Sequence, residues 1–308
     1  MIDLSVIIPV FNEEKNIEEL YTRLKQTIES LNLSYELVFV NDGSSDNSFD
    51  KICSLSETDR SVKYIDLSRN FGHQIAVTAG VDFVEGKNTV IIDADLQDPP
   101  EVIIELYNKM QEGFDVVYAK RKKRKGDSIL KKVTAKIFYR LLSKITNIDI
   151  PVDTGDFRIM SYKVVNVLKN MPEQHKFIRG QISWAGFRQA HIEYIRNERF
   201  AGETGYTYGK MTKFAKDGIT AFSDFPLKLV TWMGFTVALL AFGVMVYAIY
   251  SKYIMGGAVP GWASLMISLL FLGGVQLIGI GIIGEYISRI ASNVRNRPLY
   301  IVNKKNIE

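Results

Sequence analysis

The chain predicts an α/β fold: a mostly parallel sheet covered by helices on both faces, then a hairpin of two membrane-spanning helices. Three observations carry this expectation. Strand-like and helix-like patterns alternate from residue 1 to about 120. Two uncharged apolar runs, Leu229–Tyr250 and Trp262–Ile283, lie near the C-terminus. At about 1.5 Å per residue, each can cross a hydrocarbon core of roughly 30 Å. Finally, the run Ile91-Ile92-Asp93-Ala94-Asp95-Leu96-Gln97 delivers two carboxylates one residue apart at the end of an apolar strand. Open α/β sheets bind ligands at such carboxyl ends.

The elements follow in order. Leu4–Val10, Tyr35–Val40, Val62–Leu67, Val90–Asp93 and Val116–Ala119 read as strands. Glu14–Leu31, Ser45–Ser56, His73–Val84 and Pro99–Gln111 read as the helices between them. Asp98-Pro99-Pro100-Glu101 has the chemistry of a helix start, with Asp as cap and Pro in the first turn. Asn41 to Asp46 is turn chemistry that closes the second strand. Beyond residue 120 the pattern is less regular: a basic run, Lys120–Lys125, a helix-like segment, Ser128–Ile145, and a loop, Pro151–Arg158. Gly209–Lys228 alternates apolar residues with lysines before the first span and reads as an interfacial amphipathic helix. The expected division is a domain at 1–208, a juxtamembrane segment at 209–228, a hairpin at 229–283 and a basic tail at 284–308.

Composition excludes several classes. The 308 residues carry a net charge of +4 and one cysteine, Cys53, so no internal disulfide can form. One Cys and three scattered His (His73, His175, His191) do not make a zinc site. Leu4–Val10 is too short for the apolar core of a signal peptide. The loop between the spans holds one basic residue, Lys252. The outer flanks hold Lys210, Lys213, Lys216, Lys228, Arg289, Arg295, Arg297, Lys304 and Lys305. The positive-inside rule then places the N-terminal domain and both termini in the cytoplasm, with a multi-pass anchor in the plasma (inner) membrane.

Two carboxylates and an amide, Asp93, Asp95 and Gln97, suit a hard cation such as Mg²⁺ or Mn²⁺ bridging a diphosphate. Gly279-Ile280-Gly281-Ile282-Ile283-Gly284 matches a dinucleotide-binding pattern, but no strand precedes it. Small residues that allow close helix approach are the better reading. Gln276, deep in the second span, reads as an interhelical hydrogen-bonding group.

Taken together, the chain resembles inverting glycosyltransferases of the GT-A fold, family 2. The segments that carry the likeness are Ser5–Glu13, Val40–Ser44, Arg69-Asn70-Phe71-Gly72 and Asp93–Pro99. Within that family it looks like the polyprenyl-phosphate glycosyltransferases: bactoprenol (undecaprenyl phosphate) glucosyltransferases and the related dolichol-phosphate mannose synthases. Gly155–Met160, Glu198–Glu203 and Gly284–Tyr300 carry this narrower match. The resemblance implies a Rossmann-like sheet and a role for each matching residue. Pro9, Phe11, Glu13, Asp42, Arg69 and Asp93 would line the nucleotide-sugar pocket, with Asp42 facing the base. Relatives often carry two acids where this chain has Asn41 and Asp42. Asp93, Asp95 and Gln97 would surround the metal and diphosphate. Arg121, Lys132 and Arg199 would meet the acceptor phosphate. Asp156 would lie near sugar and acceptor, and Asp156 and Asp95 are the candidate catalytic residues. The donor implied is UDP-glucose, with UDP-N-acetylglucosamine close behind and GDP-mannose an alternative. The acceptor is undecaprenyl phosphate at the bilayer surface. A homotetramer and a separate flippase are also implied; a nucleic-acid partner is not.

Rival readings remain. A processive polysaccharide synthase would carry Q-x-x-R-W; Gly180-Gln181-Ile182-Ser183-Trp184 lacks the arginine, and two spans cannot enclose a polymer. A glycolipid synthase with a hydroxyl acceptor needs a general base, which Asp156 would have to supply. A non-catalytic sugar-nucleotide sensor has no evident use for the intact acidic run.

Overall fold

The computed structural model of the chain describes residues 2–122, 154–197, 223, 225–254 and 261–307. The helix-like segment Ser128–Ile145, most of the juxtamembrane segment 209–228, Lys132 and Arg199 lie outside the described residues.

Among the described residues, an eight-stranded sheet organises the part of the chain outside the two long apolar helices, in the order β7 (Gln189–Tyr194), β5 (Val116–Arg121), β6 (Thr154–Ser161), β4 (Asn88–Ile91), β1 (Leu4–Val10), β2 (Tyr35–Asn41), β3 (Val62–Leu67) and β8 (Val302–Lys305). The central strand β1 (Leu4–Val10) pairs in parallel with β2 (Tyr35–Asn41) and β4 (Asn88–Ile91), and β2 pairs in parallel with β3 (Val62–Leu67). Every residue of β1 is buried, as expected for a strand covered on both faces. Pro9 is tolerated there for a local reason. The carbonyl of Ile7 accepts from Ile92 on the β4 side. Pro9, two residues on, points its missing donor the same way. Ladder pairing with β4 has already ended, at Ile7↔Ile91.

Helices close both faces. On one face α1 (Ile17–Glu29), α2 (Ser48–Thr58) and α4 (Val102–Met110) bury Leu20, Leu24, Ile52, Ile103 and Leu106 against β1 and β2. On the other lie α3 (His73–Phe83), α5 (Tyr162–Lys169) and α6 (Ile178–Ala185), with Val77, Val164 and Ile182 in a second core. In α1 the buried positions 17, 20, 24 and 28 trace one stripe, the helical periodicity visible in the sequence.

The sheet departs from simple parallel order at two places. β6 (Thr154–Ser161) inserts antiparallel between β4 and β5 (Val116–Arg121), and β7 (Gln189–Tyr194) then pairs in parallel with β5. Thr154–Arg158, expected as loop, is therefore strand. Its burial on both sides outweighs the local turn signals around Pro151. The fourth strand also ends earlier than its apolar pattern suggests: Ile92 and Asp93 lie beyond it. At the opposite edge, β8 (Val302–Lys305) from the C-terminal segment pairs antiparallel with β3.

Two helices, α7 (Phe225–Tyr253) and α8 (Trp262–Arg295), are long and apolar enough to cross a membrane. Trp232 and Leu277 on them are 70% and 71% exposed. So large an apolar surface is stable against hydrocarbon and not against water. Gly279 lets the helices meet: a Cβ there would lie 3.0 Å from Val230 Cγ1. The G-x-G-x-x-G run is thus helix. Gln276 is exposed on α8, not packed between the helices as expected.

Candidate active site

The carboxyl ends of β1, β2, β3 and β4 converge on one edge of the sheet, and the motif residues follow these ends. Loop 11–16 after β1 and loop 42–47 after β2 latch together. Asn12 N–H donates to Ser44 Oγ (3.0 Å), Ser45 N–H to Asn12 Oδ1 (2.8 Å), and Glu13 N–H to Ser48 Oγ (2.9 Å). Glu13 accepts from the Asn16 side chain. Phe11 is 47% exposed and projects an apolar ring beside this latch. Gly43 has φ +66°, and a Cβ there would fall 2.4 Å from the Arg69 carbonyl carbon, so loop 68–72 crosses where only glycine fits.

Asp42 is buried and holds that crossing loop. Its two oxygens accept from Phe71 N–H (2.7 Å) and Gly72 N–H (2.9 Å). Burial raises its pKa, and these two bonds oppose the rise. Arg69 is exposed and stacks on Phe71, with its guanidinium carbon 4.0 Å from the ring centroid.

The acidic run forms the next wall. Asp95 accepts from Gln97 N–H (3.1 Å), around Leu96 at φ +56°. The other Asp95 oxygen lies 3.8 Å from Arg196. The Gln97 carbonyl accepts from Asn197 N–H (2.9 Å). Asp98, fully buried, accepts from Arg196 Nε (3.1 Å) and from the Tyr194 hydroxyl. Asp98 Oδ2 has no hydrogen-bond partner among the described residues, and neither has the buried Oδ1 of Asp93. Burial, with like charge on Asp98 and Asp156, pushes the pKa of Asp93 up to about 6 despite nearby His73.

The β4–β6 register explains how Asp156 reaches this edge. Ile91 pairs with Arg158, and continuing the antiparallel register brings Asp93 opposite Asp156. Asp156 is buried and well supplied with donors. Its Oδ1 accepts from Arg179 Nε (2.8 Å); its Oδ2 bonds His73 Nε2 (2.9 Å) and accepts from Gln74 Nε2 (2.9 Å). Arg158 Nη2 approaches to 3.8 Å. Burial opposes its ionisation, but Arg179 and His73 outweigh that and hold it well below the usual carboxylate range. His73 Nε2 also lies 3.6 Å from Asp93 Oδ1. Loss of solvent works against charge on the ring, yet Asp93 and Asp156 prevail and raise its pKa to about 9.

Of the residues foreseen for the acceptor, Arg121 ends β5 with its guanidinium over Gly155 and Nε 3.4 Å from the Tyr194 hydroxyl. Lys132 and Arg199 fall outside the described residues. The structure brings Phe11, Glu13, Asp42, Arg69, Asp93, Asp95, Gln97 and Asp156 to one edge, with Pro9 in the strand beneath. It adds His73, Gln74, Arg179 and Arg196, which the sequence reading did not select. His73 directly follows the Arg69–Gly72 motif, a signal available in the sequence; Arg179 has none, because only the position of β6 brings Asp156 beneath α6.

The donor set fits a divalent cation held sparsely. Among the described residues no cluster of three His, Cys, Asp or Glu could form a protein cage. Asp93 does present a buried unpartnered oxygen. Mg²⁺ in nucleotide enzymes characteristically takes one or two carboxylates and completes its shell with phosphate and water.

The pattern of glycosyl transferase family 2 matches residues 5–168, and that of the GtrB C-terminal hairpin matches residues 225–290. The chain is 50% identical to the uncharacterized glycosyltransferase YkcC of Bacillus subtilis (strain 168), over 98% of this chain and 94% of that protein. It is 44% identical to the prophage bactoprenol glucosyl transferase homolog of Escherichia coli (strain K12), over 98% of each. Among solved structures, glucosyl-3-phosphoglycerate synthase from Mycobacterium tuberculosis in complex with Mn2+, UDP-Glc and phosphoglyceric acid superimposes with a TM-score of 0.48. That alignment has 17% identity and covers 71% of this chain and 78% of that one. The likeness is too loose to carry residue roles across.

Proposed function

The chain belongs to glycosyl transferase family 2, and on that premise we propose that it transfers glucose from UDP-glucose to undecaprenyl phosphate at the cytoplasmic membrane face. The reaction depends on a divalent cation and inverts the anomeric carbon. The bactoprenol glucosyl transferase relative and the matched hairpin support the acceptor. Both termini and the catalytic domain are cytoplasmic in this proposal, which extends to a homotetramer and to a product handed to a separate flippase.

One observation carries the choice of acceptor: the Asp156 carboxylate is already engaged by Arg179, His73 and Gln74. A carboxylate held so far below its usual range is a poor base. A hydroxyl acceptor must lose a proton during attack, whereas a phosphate monoester, with a second pKa near 6, is largely dianionic at neutral pH. The saturated Asp156 therefore favours the phosphate over a diacylglycerol hydroxyl.

The residues divide the remaining work. Loops 11–16, 42–47 and 68–72 hold the nucleoside. Asp93, with Asp95 and Gln97, would hold the cation, which would neutralise charge developing on the departing diphosphate. Asp156 fixes His73 and Arg179 at the sugar side, where both can face anionic oxygens. Arg121, with Lys132 and Arg199, screens repulsion between the two anionic substrates. The apolar hairpin keeps this edge at the bilayer surface, because a polyprenyl tail, at about 0.8 kcal/mol per CH₂, does not leave it.

The test is a panel of radiolabelled UDP-glucose, UDP-N-acetylglucosamine and GDP-mannose offered to purified full-length enzyme with undecaprenyl phosphate or diacylglycerol. A monoglycosylated prenyl phosphate from UDP-glucose is expected. Product with diacylglycerol alone would replace this acceptor with a hydroxyl.

A further inference from the structure

We infer that Asn303, on the strand that returns from the membrane hairpin, is a positioning residue for the donor pocket. The inference rests on the reading above that the loops after β1, β2 and β3 receive the nucleoside diphosphate.

β8 does more than cover the edge of β3. The pairing runs Ile65↔Lys305 and Asp66↔Lys304, then shifts to Leu67↔Val302. Asn303 is the residue left over. A bulge of this kind re-aims the side chain of the extra residue, and here it turns the Asn303 amide inward. Its Nδ2 donates to Asp66 Oδ2 (2.8 Å). The other oxygen of Asp66 accepts from Asn41 Nδ2 (2.7 Å). Asn41 Oδ1 in turn accepts from Ser44 N–H (3.3 Å), and Ser44 Oγ from Asn12 N–H (3.0 Å). A continuous path of polar contacts thus runs from the chain leaving the second span to both latched loops. Asp66 and Asn41 are 6% and 2% exposed, so neither can exchange a lost partner freely for water.

The path also explains a feature of the sequence. An aspartate at position 41 would set a second carboxylate against Asp66. The amide supplies the donor that Asp66 needs and leaves its own oxygen for the turn. Asn41 immediately precedes Asp42, whose oxygens hold Phe71 and Gly72. Displacing Asn41 therefore moves the whole donor side, while Asp93, just beyond the end of β4, and Asp156, on β6, sit across the sheet.

Asn303 is itself exposed, so its replacement removes little packing. In full-length enzyme, Asn303→Ala should raise the Kd for UDP and the KM for the sugar nucleotide about five- to tenfold, the order of one ordinary net hydrogen bond. The kcat at saturating donor should stay within about twofold, and the KM for the prenyl phosphate should not change. Asn303→Asp should be worse than Asn303→Ala, because it faces Asp66 with like charge. Tyr300→Phe serves as control: it removes another tie of the same return segment, to Asp82 (2.9 Å), off the path to Asn41. It should leave UDP affinity unaltered. Wild-type UDP affinity in Asn303→Ala and Asn303→Asp would overturn the inference alone. Equal losses in Asn303→Ala and Tyr300→Phe would overturn it in favour of simple edge closure. No UDP binding by the unaltered chain would overturn the donor reading and the inference with it.

Discussion

The two halves of the sheet build the active edge by different means. In the half made of β1 to β4, all strands run parallel and each ends in a motif: Phe11–Glu13, Asn41–Ser44, Arg69–Gly72 and Asp93–Asp98. In the half made of β5 to β7, the key acid arrives on an antiparallel strand, and its partners come from α3 and α6. The first half is built by loops that declare themselves locally. The second is assembled by register.

The sharpest way to break that comparison is Asp156→Asn. It leaves Arg179 and His73 facing an amide and displaces both. Turnover should fall by about 10²-fold, the cost of misplacing groups by roughly an ångström, while UDP affinity is retained. Wild-type turnover would show that the second half contributes no chemistry.

Much of the first half was legible because each signal is short-range. An apolar run followed by Asp-x-Asp or Asn-Asp-Gly specifies strand, turn and ligand edge within a few residues. The double-sided cover also followed from the helical stripes. Thr154–Arg158 was not legible as a strand, because Gly155 and Asp156 are poor strand formers placed there by the gap between β4 and β5. Arg179 and Arg196 were missed for the same reason: each gains meaning only from the acid it meets, Asp156 or Asp95 and Asp98. β8 was hidden inside a basic tail, where Lys304 and Lys305 read as charge and not as an edge strand.

A smaller effect sharpens the loop half. Gly43→Ala meets a left-handed φ and the Arg69 backbone, at a cost of about 2 kcal/mol. It should lower the melting midpoint and weaken UDP binding together; an unchanged midpoint would mean that loop 68–72 does not need the crossing.

The smallest expected effect concerns pH. His73, raised to about 9 from 6.5, contributes stability fully below pH 6.5 and loses it as pH rises through about 9. Melting midpoints between pH 7 and 9.5 should fall more steeply for the unaltered enzyme than for His73→Gln. Parallel slopes would remove the charged His73–Asp156 pair from the account.

The central claim is that Asp93 holds a divalent cation on the diphosphate of the donor. Electron paramagnetic resonance of Mn²⁺ titrated into full-length enzyme with UDP tests it directly, alongside product formation with and without chelator. The account predicts bound Mn²⁺ in the unaltered chain, its loss in Asp93→Asn, and activity abolished by chelation and restored by Mg²⁺ or Mn²⁺. Undiminished glucosyl transfer after exhaustive chelation would contradict it.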